Sequence, residues 1–360
     1  MEFLQPTTWA EALAAKAATP DAVPIAGGTD VMVELNFARR RPAALLDLTR
    51  VPELAGWRID GGLLRVGAGV TYAELTGERA RGGRPRGPDR RPDGPGRPSV
   101  GLGRLSEGLG RLSEGLGRLS EGLGRRLPGL AIAARTVGSP QIRNRGTIGG
   151  NLGSASPAGD CHPCLLAAGA QVEVASVRGT RLIPVDEFFT GVKRNALAPD
   201  ELIAAVWIGA PSGPEQFAKI GTRNAMVIAV AAFGLALHPD RRAVGTGVGS
   251  AAPTPVRAGQ AEAFLAAALD ESGLWESRGE LPEPVVTEFG ALVSAAAQPI
   301  DDVRGTAAYR RHALAVLARR TLTWAWAEYR QGGRAGGAGG AAPAGGAAPA
   351  GGPGGEGESA

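Results

Sequence analysis

Apolar and polar positions along this chain fall into short blocks, some with helical spacing and some as strand-length runs. Thr7 or Thr8 precedes WAEALAAKAA, whose apolar positions recur at helical spacing. Glu11, three residues after Thr8, completes a capping box. AVPIAGGTDVMVELNF then reads as an apolar run, a Gly-Gly turn and a second apolar run, and ALLDLTRV as a strand running into the Pro-started turn VPEL. WRIDGGLLRVGAGVTYAEL predicts a hairpin turning at Asp60-Gly61-Gly62, followed by a short helix from Thr71. Farther on, LPGLAIAARTVG predicts a helix, and CLLAAGAQVEVASVRGTRLIPVDEFF a helical turn and two strands around Arg178-Gly179. ELIAAVWIGA, EQFAKIGTR and AMVIAVAAFGLAL predict three more strands, and AVGTGVGSAAPTPVRA a strand and a loop. RAGQAEAFLAAALD, VVTEFGALVSAAAQ and TAAYRRHALAVLARRTLTWAWAEYRQ predict three helices, the last long and amphipathic.

Two segments break this pattern. Residues 79–126 are rich in Arg, Gly and Pro and carry GLGRLSE three times in identical tandem, at 101–107, 108–114 and 115–121. The leucines fall at spacings of 3 and 4, as in a coiled-coil seam, but each heptad also holds two glycines. At roughly 1 kcal/mol per glycine, three repeats forfeit ~6 kcal/mol of helix stability, so a mobile insertion is expected rather than a docked seam. Residues 332–360 carry 13 Gly in an Ala/Gly/Pro pattern without apolar periodicity, the composition of a disordered tail.

Composition sharpens this reading only when it is resolved along the chain. The net charge of +4 hides a net of +7 within 79–126, where twelve Arg face five acidic residues, and leaves −3 on everything else. A basic nucleic-acid-binding face on the folded part is therefore disfavoured. The longest apolar run, Ala225–Leu237, is too short for a membrane span. The start, MEFLQPTTWAEAL, lacks the basic and apolar regions of a secretory signal, and two cysteines make no disulfide framework. A cytoplasmic protein is expected. Its folded part is α+β, with a main boundary at Ala210-Pro211-Ser212-Gly213-Pro214.

Candidate chemistry gathers at two Gly-rich turns, Ala26-Gly27-Gly28-Thr29-Asp30 and Gly146-Thr147-Ile148-Gly149-Gly150-Asn151. Glycine lets backbone N–H groups approach the oxyanions of a phosphate, and a threonine in each turn adds a hydroxyl. Two such turns converging on one diphosphate would hold a dinucleotide without any G-x-G-x-x-G fingerprint. Either turn alone is more often just a tight turn. Cys161-His162-Pro163-Cys164 offers half of a four-ligand metal site, with no other cysteine to complete it, so no metal is assigned. Arg143 and Arg145 read as scaffold ion pairs or phosphate partners.

AGGTDV, VGSPQIRNRGTIGGNLGSASPAGD, FAKIGTR and DDVRGTAAYRR, in this order, resemble the FAD-binding medium subunit of the molybdenum hydroxylases, the xanthine dehydrogenase and carbon monoxide dehydrogenase family. The resemblance covers 1–79 and 127–330. It implies a two-subdomain FAD-binding domain of the vanillyl-alcohol-oxidase type, over 1–55 and 56–212 with the 79–126 insertion, then a C-terminal α/β domain of the carbon monoxide dehydrogenase flavoprotein type over 213–331. Carried over position by position, it implies that Pro24, Ile25, Ala26, Gly27, Gly28, Thr29, Asp30 and Val31 wrap the FAD diphosphate. Thr147, Ile148, Gly149, Gly150 and Asn151 form a second clasp, Asp160 hydrogen-bonds the cofactor, Val137 and Ile203 flank its ring, and Lys219 lies near the flavin. A positive charge there would favour the reduced, anionic flavin.

The expected activity is that of an oxidoreductase subunit without a general acid or base of its own. It takes electrons from [2Fe–2S] clusters on a small partner, beside a large partner holding the molybdenum cofactor, and passes them to NAD⁺ or another acceptor. Two alternatives stand beside it. One is a stand-alone flavin reductase, for which no substrate-acid constellation presents itself. The other is a non-catalytic scaffold whose flavin site the insertion has spoiled, although both phosphate turns remain intact.

Overall fold

The computed structural model of the chain describes residues 1–77 and 122–332; the GLGRLSE heptads and the expected tail from residue 333 onward lie outside the described residues. The first layer is a small parallel sheet of β1 (Glu2–Leu4), β2 (Val23–Ile25) and β3 (Ala44–Asp47), in the order β1-β3-β2. Helices α1 (Trp9–Ala18) and α2 (Val31–Asn36) make its crossovers. Thr8 caps α1 by accepting from the Glu11 N–H, and the Glu11 carboxylate returns to the Thr8 N–H, as the capping box predicts. As the central strand, β3 is buried at every position, which suits the run ALLD.

The second sheet is antiparallel, in the order β4-β5-β10-β6-β7. Hairpin β4 (Trp57–Asp60) and β5 (Leu63–Gly67) turns through Gly61 and Gly62, both at positive φ, where residues with a side chain are strained. After α3 (Tyr72–Thr76) the described chain resumes at residue 122. Residues 122–126 are helical with Leu123 buried, so the last turn of the expected insertion belongs to the folded part. Leu123 and Leu127 lie on one side and join the same core, which explains why this turn is held. There follow α4 (Pro128–Arg135), α5 (Pro140–Arg143), α6 (Ile148–Ser154), α7 (His162–Ala167), β6 (Gln171–Ser176), β7 (Gly179–Pro184) and α8 (Val185–Phe188). A small ribbon of β8 (Phe189–Gly191) and β9 (Arg194–Asn195) precedes β10 (Leu202–Gly209).

Past 210–214, β11 (Glu215–Ile220), β12 (Ala231–His238) and β13 (Ala243–Gly249) form an antiparallel meander. Helices α9 (Gly259–Glu271), α10 (Leu274–Ser277), α11 (Glu283–Ala295) and α12 (Ala307–Gly332) complete the chain. Strand β12 begins later than the run AMVIAVAAFGLAL suggests. The Arg223 guanidinium donates to the carbonyls of Ala225 and Met226 and curls this stretch, and Met226 sits at φ +49, so Ala225–Val230 is a loop.

The meander has two different faces, as period-2 alternation requires. Ala231, Phe233, Leu235 and Leu237 join the helices in a second core. The opposite face carries Gly234, Gly245, Gly247 and Gly249, and α7 lies directly on it. A Cβ on Gly245 would stand 1.9 Å from the Ala167 carbonyl oxygen, and one on Gly247 2.1 Å from that of Pro163. This backbone-to-backbone contact fixes α7, and with it the segment that enters α7 at Asp160.

Candidate functional site

The first Gly-rich turn leaves β2 and enters α2. Pro24 is exposed on β2, and the Ile25 carbonyl accepts from the Leu48 N–H at 2.9 Å. Gly28 adopts φ +75, which turns the chain, and the helix then opens with Met32 and Glu34 donating to the carbonyls of Gly28 and Asp30. Among the described residues no acceptor meets the backbone N–H groups of Ala26 to Val31. Six consecutive N–H groups without a protein acceptor give this turn donors for an anion.

The second Gly-rich turn lies against the first. A Cβ on Gly27 would fall 1.8 Å from the Arg145 carbonyl oxygen and 2.9 Å from the Gly146 nitrogen, so the two segments converge backbone to backbone. Their forms differ, however. Thr147 to Asn151 is the capped start of α6 rather than an open turn, with the Thr147 hydroxyl accepting from the Gly150 N–H at 3.0 Å. The Ile148 and Gly149 N–H groups donate to the Val70 and Ala68 carbonyls, and that of Asn151 to Thr147. Gly149 is there for close packing, since a Cβ would lie 2.5 Å from that of Ala68. This clasp therefore spends its N–H groups on its own scaffold. What it offers is the Asn151 side chain, whose Oδ1 is buried without a partner. Glycine spacing alone could not show this, because the acceptors for Ile148 and Gly149 come from the loop after β5.

Asp160 and Lys219 meet. The Lys219 ammonium donates to Asp160 Oδ2 at 2.7 Å, to the Thr136 carbonyl at 3.0 Å and to the Val227 carbonyl at 3.2 Å, which uses all three of its hydrogens. Both side chains are about one-tenth exposed. Burial pushes the Asp160 carboxyl above its ordinary range, and the Lys219 ammonium and the Thr136 hydroxyl pull it only part of the way back. Its second oxygen, Oδ1, is buried and unpaired.

Val137, half-buried, follows α4 directly after Thr136, and Ile203, buried on β10, reaches to within 3.8 Å of where a Gly153 Cβ would be. Arg143 donates to the Val137 and Gly138 carbonyls, a scaffold role, while Arg145 is exposed. Cys161 and Cys164 are buried free thiols, both pushed up by burial, with Cys164 Sγ donating to the Gly129 carbonyl. His162 is lowered by burial to about 4 and is therefore neutral; its Nε2 faces the Asn151 carbonyl at 3.3 Å. Gly159 makes room for that imidazole, since a Cβ there would fall 2.3 Å from the ring. Among the described residues, no group of three or more His, Cys, Asp or Glu side chains is placed to hold a metal ion.

Sequence reasoning did not single out Tyr72, whose ring lies beneath Gly146 and whose buried Oη has no partner. No motif marks it, and only the packing of α3 against the second turn exposes it. The site thus pairs a cradle of bare N–H donors with a set of unpaired polar side-chain atoms on Tyr72, Asn151 and Asp160. That donor and acceptor set fits a dinucleotide with an anionic diphosphate and several hydroxyls, as FAD has.

Residues 1–88 and 115–211 match the family described as the FAD binding domain in molybdopterin dehydrogenase. Residues 216–325 match the CO dehydrogenase flavoprotein C-terminal domain. The break at 89–114 falls within the expected insertion and takes in the first two heptads. The chain is 31% identical over 312 residues to the nicotine 6-hydroxylase medium subunit of Paenarthrobacter nicotinovorans, covering 84% of this chain and 89% of that one. It is 30% identical over 252 residues to the nicotinate dehydrogenase FAD-subunit of Eubacterium barkeri, over 68% and 71% of the two chains. In three dimensions it superposes on the reconstituted CO dehydrogenase from Oligotropha carboxidovorans with a TM-score of 0.72 at 25% identity, covering 91% of this chain and 98% of the other.

Proposed function

The chain belongs to the FAD-binding family of the molybdopterin dehydrogenases, and on that premise we propose that it is the electron-exit subunit of its complex. It is a FAD-carrying oxidoreductase subunit. In the proposed scheme a small partner delivers electrons from [2Fe–2S] clusters, a large partner holds the molybdenum cofactor and the hydroxylation pocket, and NAD⁺ or another acceptor receives the electrons. FAD supplies the carrier that accepts electrons one at a time and releases them as a pair. The residues of this chain hold and orient it. Pro24 to Val31 present donors to the diphosphate, Asn151 and Asp160 present acceptor oxygens, and Val137 and Ile203 border the ring. Residues 1–55 and 56–212 make up the FAD unit in this reading, and 213–331 the unit that backs it through β11 and the glycine face. Among the described residues no helix is long and apolar enough to cross a membrane.

One observation carries the reading: the two glycine segments touch at Gly27 and Arg145, with bare N–H groups on one side and unpaired acceptor oxygens on the other. The test is made on the complex assembled with its partners. Anaerobic substrate should bleach the oxidised flavin absorbance after the clusters are reduced, and NAD⁺ should restore it. Clusters that reduce while the flavin stays oxidised would rule out the exit role. Recovery with a different acceptor, and none with NAD⁺, would replace only the last step.

A further inference from the structure

Lys193 stands at the tip of the β8–β9 ribbon with φ +54, in the left-handed region that a residue with a side chain rarely adopts. Its ammonium donates to Glu34 Oε1 on α2 at 2.8 Å, across 159 residues of chain. The other Glu34 oxygen faces Arg40 at 3.7 Å. The Lys193 ammonium, with help from Arg40 and Arg39, holds the Glu34 carboxyl below its ordinary range, so it is charged at neutral pH. The ribbon is in turn anchored to the second glycine segment. The Lys193 N–H donates to the Ala155 carbonyl at 3.2 Å, and Asn195 Nδ2 to the Gly153 carbonyl at 3.0 Å.

The two glycine segments are therefore joined twice. They touch backbone to backbone at Gly27 and Arg145, and Lys193 and Glu34 link them again farther along. These contacts close a circuit that runs from Gly27 along α2 to Glu34, across the ion pair to the ribbon, and back through α6 to Gly146. The N–H groups of Gly27 to Val31, which have no protein acceptor, lie on one arm of it. The two links are unequal. The first is backbone packing with no room for a Cβ on Gly27. The second is an ion pair with Lys193 58% and Glu34 25% exposed, a contact that water and salt loosen. Lysine suits a link that must open, because a point charge on a flexible stem lets go more readily than the fork of arginine. Lys193 is one of only three lysines in a chain that otherwise uses arginine.

We propose that the Lys193–Glu34 pair is a latch on this circuit, and that its opening sets how fast FAD enters and leaves between the two arms. The inference rests on the FAD reading above and adds to it a control on cofactor exchange. A latch is crossed in both directions, so it governs rates and leaves affinity nearly untouched. A residue bonded to the cofactor behaves differently, since its loss weakens affinity and does so mainly through release.

The test uses the complex assembled with its partners, freed of flavin, and follows FAD uptake and release by flavin fluorescence. Lys193→Gln and Glu34→Gln should each speed both uptake and release about two- to fivefold, the factor for an exposed ion pair, with Kd within about twofold of wild type. The gap from wild type should close as salt rises from about 0.05 M to about 1 M, because exposed charges are then screened. The swapped pair, Lys193→Glu with Glu34→Lys, should bring both rates back towards wild type. Rates unchanged in the single variants, or a swapped pair as fast as they are, overturns the proposal and leaves the FAD reading standing. So does faster release with unchanged uptake, which marks a direct cofactor contact instead of a latch. A wild-type complex that takes up no FAD overturns both.

Discussion

At the scale of single residues, the pairing of Lys219 with Asp160 decides what each can do. The family resemblance puts a lysine near the flavin, where a free cation would favour reduction. In the structure that ammonium is spent on Asp160 and on the Thr136 and Val227 carbonyls. Its charge reaches the site already offset by a carboxylate, so its main work is to fix Asp160 and the end of α4. Lys219→Met would leave the Asp160 carboxylate buried without its cation, a change that typically costs about 3–5 kcal/mol. Urea denaturation at neutral pH should show that loss, and adding Asp160→Asn should restore much of it. A single variant as stable as wild type would mean that Asp160 already reaches water. Lys219 and Asp160 were both legible from their motifs. That they bond to each other was not, because 59 residues separate them.

At the scale of elements, α4 is gripped at both ends by one strand. On β11, Glu215 and Lys219 stand four residues apart. Glu215 accepts from the Gly129 N–H at 3.0 Å in the first turn of α4, and Lys219 donates to the Thr136 carbonyl just past its last turn. An anion at the helix N-terminus and a cation at its C-terminus both complement the helix dipole. The spans agree as well, since three peptide steps more of helix than of strand cover a similar length at their respective rises. Burial is the largest influence on Glu215 and raises it from 4.5 to about 7, with the Gly129 N–H opposing and Glu328 reinforcing. A raised carboxyl binds its proton more tightly when folded, so its contribution to stability is full below pH 4.5 and lost as pH climbs to about 7. By this linkage the loss is roughly 3 kcal/mol. Glu215→Gln keeps an acceptor for Gly129 and removes the charge. Its melting temperature should therefore pull ahead of wild type as pH rises from 5 to 8. Parallel melting curves across that range would show that Glu215 does not titrate there.

At the scale of the whole molecule, the site depends on how the meander carries α7. The alternation of AVGTGVG sends every second residue, Gly245, Gly247 and Gly249, to one face, and α7 rests on that face without intervening side chains. Asp160 lies at the entrance to α7, so the C-terminal unit shapes the cofactor site without lining much of it. Gly247→Ala would place a methyl group 2.1 Å from the Pro163 carbonyl oxygen and force α7 away. Overpacking of this kind costs about 1–3 kcal/mol, seen as a lower urea midpoint, and should also speed the release of FAD. A midpoint shift without faster release would separate the meander from the cofactor site.

By itself the sequence determined most elements and the family. Helical and strand spacing, the Thr8–Glu11 capping box and the Asp60-Gly61-Gly62 turn act over a few neighbouring residues, and the structure follows them. The glycine segments and the residues from Ser156 to Asp160 also mark where the cofactor should sit. Tertiary structure decided which polar groups remain free there. It gave the Ile148 and Gly149 N–H groups to the Val70 and Ala68 carbonyls, left those of Ala26 to Val31 bare, paired Lys219 with Asp160, and stranded the Tyr72 hydroxyl. Hydrogen-bond saturation depends on which acceptors other segments bring within about 3 Å, and that proximity is set by packing between residues far apart in the chain.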